Sequence, residues 1–380
     1  MTNLTRYLNQ PISEDLSNRK MVFLGGPRQV GKTTLVLQFL KGVNPAWKHP
    51  AYLSYDDLTI RDVFLKAQLP TNQPILILDE IHKFKNWRQL LKGFYDTNKH
   101  LVKLLVTGSA RLDYYRKGGD SLVGRYHYYR LHPYSLNEKN CPPLADLIRL
   151  GGFPEPLFSG SERGYKRWSK ERTERVVYQD LRDLEMVKDL SMIDLLLIAL
   201  PQRVGSPLSI KAISEDLQVA FETADRWISL LERVYMVYRI SPYGAPKIRA
   251  VKKEQKLYFW DWAQIENQGA RFENLVASHL LKYCHFIEDT EGEKMELRFL
   301  RDIDKREIDF VVLKNGKPQF AVEAKSGEKE LAKSISYFRE RTTIPAFYQV
   351  HLGTKDYGNP KNGRALPFTT FCKEIIQKSA

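Results

Sequence analysis

Short aliphatic runs separated by helical spacing dominate the first third of the chain. Residues 21–24 end in Gly-Gly, residues 75–78 end in Asp79-Glu80, and residues 101–106 end in Thr-Gly-Ser. After Lys32, Leu35, Val36, Phe39 and Leu40 recur at the spacing of one helix face. Strands that are apolar throughout are buried on both faces, and the helices between them supply the crossovers that parallel pairing requires. The pattern predicts an α/β core built on a parallel sheet.

The pattern changes after Pro133. Short helices and loops, broken by Gly151-Gly152-Phe153-Pro154, run to about 189. Ile210, Ile213 and Leu217 then mark one helix, and Ala224, Trp227, Ile228, Leu231 and Val234 the apolar side of a longer one. Two helices joined by a tight turn and followed by a hairpin have the layout of a helix-turn-helix with a wing. Strand-like runs return at 256–260, 296–299, 308–313, 320–324 and 346–350. The expected domains are 1–135 (α/β core), 136–189 (helical lid or linker), 190–245 (winged helix) and 246–380 (a second α/β domain).

Residues Gly26, Pro27, Arg28, Gln29, Val30, Gly31, Lys32 and Thr33, followed by Thr34, satisfy GxxxxGK[ST] without mismatch. The two glycines let backbone N–H groups turn inward around phosphates. Lys32 reaches the β- and γ-phosphates, the Thr33 hydroxyl binds Mg²⁺, and the next helix points its positive end at the anion. About fifty residues on, Asp79 at a strand end is placed to hold the metal, and Glu80 to orient and polarise the attacking water. Strand, loop, helix and acidic pair together predict a site for ATP with Mg²⁺.

The strings Gly-Pro-Arg-Gln-Val-Gly-Lys-Thr-Thr-Leu, Leu-Asp-Glu-Ile-His-Lys, Thr-Gly-Ser-Ala and Leu-Val-Gly-Arg resemble a prokaryotic family of AAA-type P-loop ATPases. In that family the ATPase precedes a C-terminal region of unknown function. Gly151-Gly152-Phe153-Pro154 and Tyr178-Gln179-Asp180-Leu181 resemble the family's middle segment, so the likeness spans nearly the whole chain. It implies a γ-phosphate-reading residue at the third strand end, for which Ser109 is the candidate. Arg125 is either an arginine that stabilises transition-state charge, in cis or toward a neighbouring subunit, or an ordinary surface arginine. Homo-oligomers are common among AAA proteins, and a polypeptide partner is a further reading.

Near the C-terminus, Asp309 lies in one alternating strand and Glu323 and Lys325 in the next, joined by Asn315-Gly316, a strong hairpin signal. Period-two alternation puts Glu323 and Lys325 on one face, within reach of Asp309. Two converging carboxylates form a hard-cation site, and Mg²⁺ on Asp309 and Glu323 would activate water beside Lys325. Glu273, on an upstream helix, adds a further acid. This order resembles the PD-(D/E)XK nuclease superfamily and implies a nuclease-like α/β domain, active or inactive. An ordinary surface Glu–Lys pair is the alternative.

The chain has 380 residues and a net charge of +14, with a pI near 9.4. That excess favours a polyanion partner, DNA before RNA, over a merely solubilising surface. Lys247, Arg249, Lys252, Lys253 and Lys256 form the expected phosphate footprint, because the second helix of the winged-helix segment offers acids (Glu222, Asp225) as readily as Arg226. Cys141, Cys284 and Cys372 are widely spaced and suggest neither zinc nor disulfides. No apolar stretch approaches a membrane span, so a cytoplasmic protein without membrane contact is expected. Two functions lead, an ATP-linked DNA-processing nuclease or an ATP-controlled DNA- or protein-binding switch carrying an inactive nuclease-like domain, and an ATPase that moves or inserts a protein partner is a third.

Overall fold

The computed structural model describes residues 5–108, 122–181, 190–244 and 254–377. The chain divides into two compact units, Met1–His132 and Pro133–Ala380. Ser109, Lys247, Arg249, Lys252 and Lys253 lie outside the described residues.

The first unit holds a five-stranded, wholly parallel sheet in the order β2-β3-β4-β1-β5. Its strands are β1 (Met21–Gly25), β2 (Tyr52–Ser54), β3 (Ile75–Asp79), β4 (Lys103–Thr107) and β5 (Tyr126–Arg130). Between them run α1 (Asn9–Ser17, preceding β1), α2 (Lys32–Leu37), α3 (Arg61–Leu65) and α4 (Trp87–Asn98). Val22, Leu24, Leu76, Ile77, Leu78, Leu105 and Val106 are fully buried, as two-sided burial demands of aliphatic strands. Leu24 pairs with Thr107 and Leu78 with Val106, so the C-terminal ends of β1, β3 and β4 lie side by side. That sheet edge is where a P-loop and its acids must meet.

Two expectations change. The third predicted strand starts at Lys103, because the N–H groups of Leu101 and Val102 both bond Asn98 O and finish the turn of α4. β5 was not foreseen: Tyr-His-Tyr-Tyr-Arg lacks an aliphatic run. Aromatic packing seats it against β1, with the Tyr126 ring stacked on Phe23 at 4.3 Å. Gly25 makes room for the neighbouring ring, since a Cβ there would fall 1.6 Å from the Tyr128 hydroxyl.

In the second unit, α5 (Leu144–Leu150), α6 (Pro154–Ser159), α7 (Glu162–Arg175) and α8 (Leu190–Ala199) come first. Gly151 and Gly152 are required by close packing: a Cβ on Gly152 would meet the Trp262 ring at 2.6 Å. Next come α9 (Ile210–Asp216), capped by the Ser209 hydroxyl, and α10 (Phe221–Arg233). The antiparallel pair β6 (Val237–Pro242) and β7 (Lys256–Phe259) follows.

The long helix α11 (Gln268–Glu291) starts at the Asn267 side-chain cap. It packs on β8 (Met295–Arg301), β9 (Glu307–Lys314) and β10 (Lys317–Lys325). These strands belong to a sheet that also holds β11 (Phe347–His351), β12 (Tyr357–Asn359) and β13 (Gly363–Pro367), with helices α12 (Lys333–Arg339) and α13 (Phe368–Glu374). The order is β12-β13-β11-β10-β9-β8-β6-β7, antiparallel at β8–β9–β10 and parallel at β10–β11–β13. Asn315 and Gly316, with φ of 52° and 77°, make the tight β9–β10 turn that Asn-Gly favours. No helix among the described residues is long and apolar enough to cross a membrane.

Candidate functional site

The loop between β1 and α2 adopts the backbone that its glycines permit. Gly26, Gln29 and Gly31 have φ of 139°, 62° and 100°. At Gly26 a side chain is excluded outright, because a Cβ would lie 2.4 Å from Leu131 O. Lys32 is buried and donates to Gly26 O at 2.9 Å and Pro27 O at 2.7 Å. Its ammonium is thus folded over the loop, in reach of whatever anion the loop would cradle.

Asp79, at the end of β3, collects three hydroxyls. Thr33 Oγ1 donates to Oδ2 at 3.0 Å, Tyr52 OH donates to Oδ2 at 2.7 Å, and Thr107 Oγ1 donates to Oδ1. Burial, with Asp79 alongside, pushes the Tyr52 phenol well above its ordinary range, so it stays a donor. The next residue, Glu80, leaves the strand at φ 55° while its N–H bonds Thr107 O. Burial raises its pKa against the pull of Lys32 and Lys83. The chemistry of the donor set suits a magnesium nucleotide: one hydroxyl and one carboxylate for the ion, one ammonium for phosphate, one carboxylate for water.

Arg125 is not brought to this site. Its carbonyl accepts from Met21 N, at the opening end of β1, while the P-loop leaves the closing end. Its guanidinium pairs with the Asp96 carboxylate at 2.8 Å and 3.0 Å. The sheet itself separates it from the phosphate loop of the same chain.

Three residues escaped sequence reasoning here. Arg6 is buried and donates to Val30 O at 3.1 Å and His132 O at 2.6 Å, tying the P-loop to the chain leaving β5. Tyr52 and Thr107 orient Asp79. Only Thr107 carried a signal, as the polar end of an aliphatic strand.

The second cluster lies where α11, β7, β9 and β10 converge. Asp309 Oδ2 accepts from Ala324 N at 2.9 Å, and Asp309 N donates to Glu323 Oε2 at 3.3 Å. Lys325 Nζ donates to Glu323 Oε1 at 2.5 Å. Glu273 Oε1 accepts from Tyr258 OH at 2.8 Å. The predicted quartet of Glu273, Asp309, Glu323 and Lys325 is therefore assembled, with a cation that was assigned elsewhere. Lys256 is wholly buried rather than part of a solvent-facing footprint, and its ammonium lies 3.3 Å from Glu273, 3.5 Å from Asp309 and against Glu307. Burial, then the Asp309 charge, pushes Glu273 up to about 8 and Glu323 up to about 7. Among the described residues no group of three or more His, Cys, Asp or Glu is arranged to hold a metal ion. These carboxylates do not fit a ready metal site, because Lys256, Lys325, the Tyr258 hydroxyl and two backbone N–H groups already hold most of their oxygens.

The outer face of α10 is likewise engaged. Arg239 donates to Asp225 at 3.1 Å, Ser229 at 3.1 Å and Glu232 at 2.6 Å. Asp225, one of the acids expected on the outer face of this helix, and Ser229 are thereby tied to β6.

Three segments of the chain match family models. Residues 18–140 match the model of an AAA domain, residues 142–265 a domain of unknown function (DUF8612), and residues 268–371 another (DUF4143). An uncharacterized protein of Methanocaldococcus jannaschii is 24% identical over 349 residues, spanning 73% of this chain and 71% of its own. An uncharacterized protein of Mycobacterium tuberculosis is 24% identical over 246 residues, spanning 65% of this chain and 55% of its own. Among solved structures, the Aeropyrum pernix Orc1 protein in complex with DNA covers 72% of this chain and 93% of its own at 14% identity, with a TM-score of 0.34, too low to carry a structural argument. The AAA-domain match falls on the residues that build the phosphate loop and the Asp79 cluster, and this part of the chain has the α/β fold of an AAA-type P-loop ATPase.

Proposed function

We propose that the first unit binds ATP with Mg²⁺ and hydrolyses it, and that the second unit binds nucleic acid, DNA before RNA, under control of that cycle. The observation that carries this reading is the Thr33–Asp79 contact at the end of a complete phosphate loop. Backbone N–H groups of residues 26–34 would bind the phosphates, and Lys32 would exchange its loop carbonyls for phosphate oxygens. Thr33 and Asp79 would hold the Mg²⁺, which neutralises phosphate charge when bound. Glu80, made more basic by burial, would orient water and accept its proton. Ser109 keeps its proposed γ-phosphate role. Arg125 keeps one only toward a neighbouring subunit of a homo-oligomer.

For the second unit, the order of helix, antiparallel β8–β9–β10 and parallel β11 supports the PD-(D/E)XK likeness, and α9, α10 and the β6–β7 pair support a winged-helix segment. The net charge of +14 supports a polyanion partner. Fold does not establish chemistry. The lysines set against the carboxylates favour a nuclease-like module that binds without cutting over a Mg²⁺-dependent deoxyribonuclease using Asp309, Glu323 and Lys325.

The test measures ATP turnover by the purified chain, Lys32→Ala and Glu80→Gln, together with fluorescence anisotropy of labelled single- and double-stranded DNA with and without ATP. Turnover lost in both variants, and DNA affinity that follows nucleotide state in the wild type alone, support the proposal. Undiminished turnover in Lys32→Ala would overturn the ATPase assignment. Absence of DNA binding at low salt, with ATPase stimulated by a polypeptide, would replace nucleic acid with a protein partner.

A further inference from the structure

We propose that Lys256 is a built-in cation at the centre of the second unit's carboxylate cluster, its ammonium filling the place where a nuclease-like centre would need a divalent ion. The inference rests on the reading of that unit as a binding module that does not cut.

Lys256 opens β7, and none of its side chain reaches solvent. An ammonium so placed is tolerated only when paired, because desolvation of a lone charge is prohibitive. The pairing comes from two elements distant in sequence: Glu273 on α11, and Glu307 with Asp309 two residues apart on one face of β9. The Phe299 ring lies 5.7 Å from the same ammonium and adds an aromatic face.

The carboxylates have little capacity left. Glu307 also pairs with Arg301 at 3.0 Å, Glu323 with Lys325, Glu273 with the Tyr258 hydroxyl, and Asp309 with Ala324 N–H. Four carboxylates therefore face three cations, Lys256, Lys325 and Arg301. A dication added here would sit within contact distance of an ammonium and overcompensate the acids.

Access is closed from one side as well. At Gly205 (φ 78°) a Cβ would lie 2.8 Å from Glu273 Oε2, so the chain there runs directly over that carboxylate. Pro207 bridges to Lys256, and Leu208 N donates to Gln255 O at 2.7 Å, which holds the start of β7 in place.

The test is Mn²⁺ binding by the nucleotide-free full chain, read by electron paramagnetic resonance, in wild type, Asp309→Asn, Lys256→Met and Lys256→Met/Asp309→Asn. Expected are identical isotherms for wild type and Asp309→Asn. Lys256→Met, shown folded by circular dichroism, should gain a Mn²⁺ site about tenfold or more tighter than any wild-type binding, as removal of a like charge at contact implies. The double variant should lose it. A wild-type Mn²⁺ site that disappears in Asp309→Asn overturns the proposal, as does a folded Lys256→Met that gains none. Should Lys256→Met fail to fold, the comparison of wild type with Asp309→Asn decides alone. DNA cleavage abolished by Asp309→Asn would overturn the binding-module reading too, whereas Mn²⁺ at Asp309 with DNA bound and uncut would overturn the built-in cation only.

Discussion

Thr33 and Asp79, forty-six positions apart in sequence, meet at 3.0 Å where β1 and β3 end. The contact joins the last residue of the phosphate loop to the acid of the neighbouring strand end. Asp79→Asn keeps the shape but halves the acceptor capacity for three hydroxyls and removes the charge. It should abolish Mg²⁺-dependent ATP turnover while the sheet stays folded. Turnover assays across a Mg²⁺ titration check this, and a variant restored by high Mg²⁺ would mean that Asp79 acts through affinity alone.

Glu80 stands one residue further, held out of the strand in the left-handed region. Glu80→Gln preserves size and hydrogen bonding but cannot take a proton. Its turnover number should fall by about 10²–10⁴, the usual worth of general-base catalysis. ATP binding, measured by equilibrium dialysis, should persist. Equal loss of binding would make Glu80 a structural residue.

Tyr52 tests whether Asp79 must be oriented by its neighbours. Tyr52→Phe removes one hydroxyl donor to a charged acceptor, worth about 1.5–3 kcal/mol. The Mg²⁺ concentration for half-maximal turnover should rise, with little change at saturating Mg²⁺. An unaltered Mg²⁺ dependence would reduce Tyr52 to packing.

Asp79, Glu80 and the hairpin at Asn315-Gly316 were legible in the sequence because local rules decide them. Acids cannot remain inside an aliphatic strand, and Asn-Gly suits two consecutive residues with positive φ. Arg6 and Tyr52 were not legible, since their contacts depend on which elements become neighbours in the sheet. Lys256 falls within the expected phosphate footprint because it follows Lys247, Arg249, Lys252 and Lys253 in sequence. Only tertiary packing, which brings Glu273 and β9 around it, turns it inward. β5 escaped because aromatic side chains packed on Phe23 and Gly25 stand in for an aliphatic core.

Lys282 on α11 donates to Ser135 at 2.6 Å and Glu138 at 2.7 Å, all within the buried interior of the second unit. Replacing Glu138 with Gln leaves a buried ammonium without its counter-charge, a loss of about 3–5 kcal/mol. Chemical denaturation of the full chain should show the transition of this unit moved to lower denaturant, with that of the first unit unmoved. Replacing Lys282 and Glu138 together with Met and Leu should recover most of the loss, because the pair's desolvation cost disappears with its attraction.

His279, one turn earlier on the same helix, sets a pH limit on this unit. Its Nδ1 pairs with Leu275 O at 2.8 Å and its Nε2 accepts from Leu136 N at 3.2 Å, so the ring is held neutral between one acceptor and one donor. Burial pushes its pKa down to about 4, below the ordinary value near 6.5. The unfolded chain takes up a proton as pH falls through about 6.5, whereas the folded chain resists until about 4. Stability is therefore full above the upper value and declines across that window, by roughly 3 kcal/mol at its acid end. His279→Gln retains a donor and an acceptor but does not titrate. Denaturation midpoints measured from pH 7.5 to 4 should fall less steeply in the variant, and parallel profiles would assign the acid sensitivity to other groups.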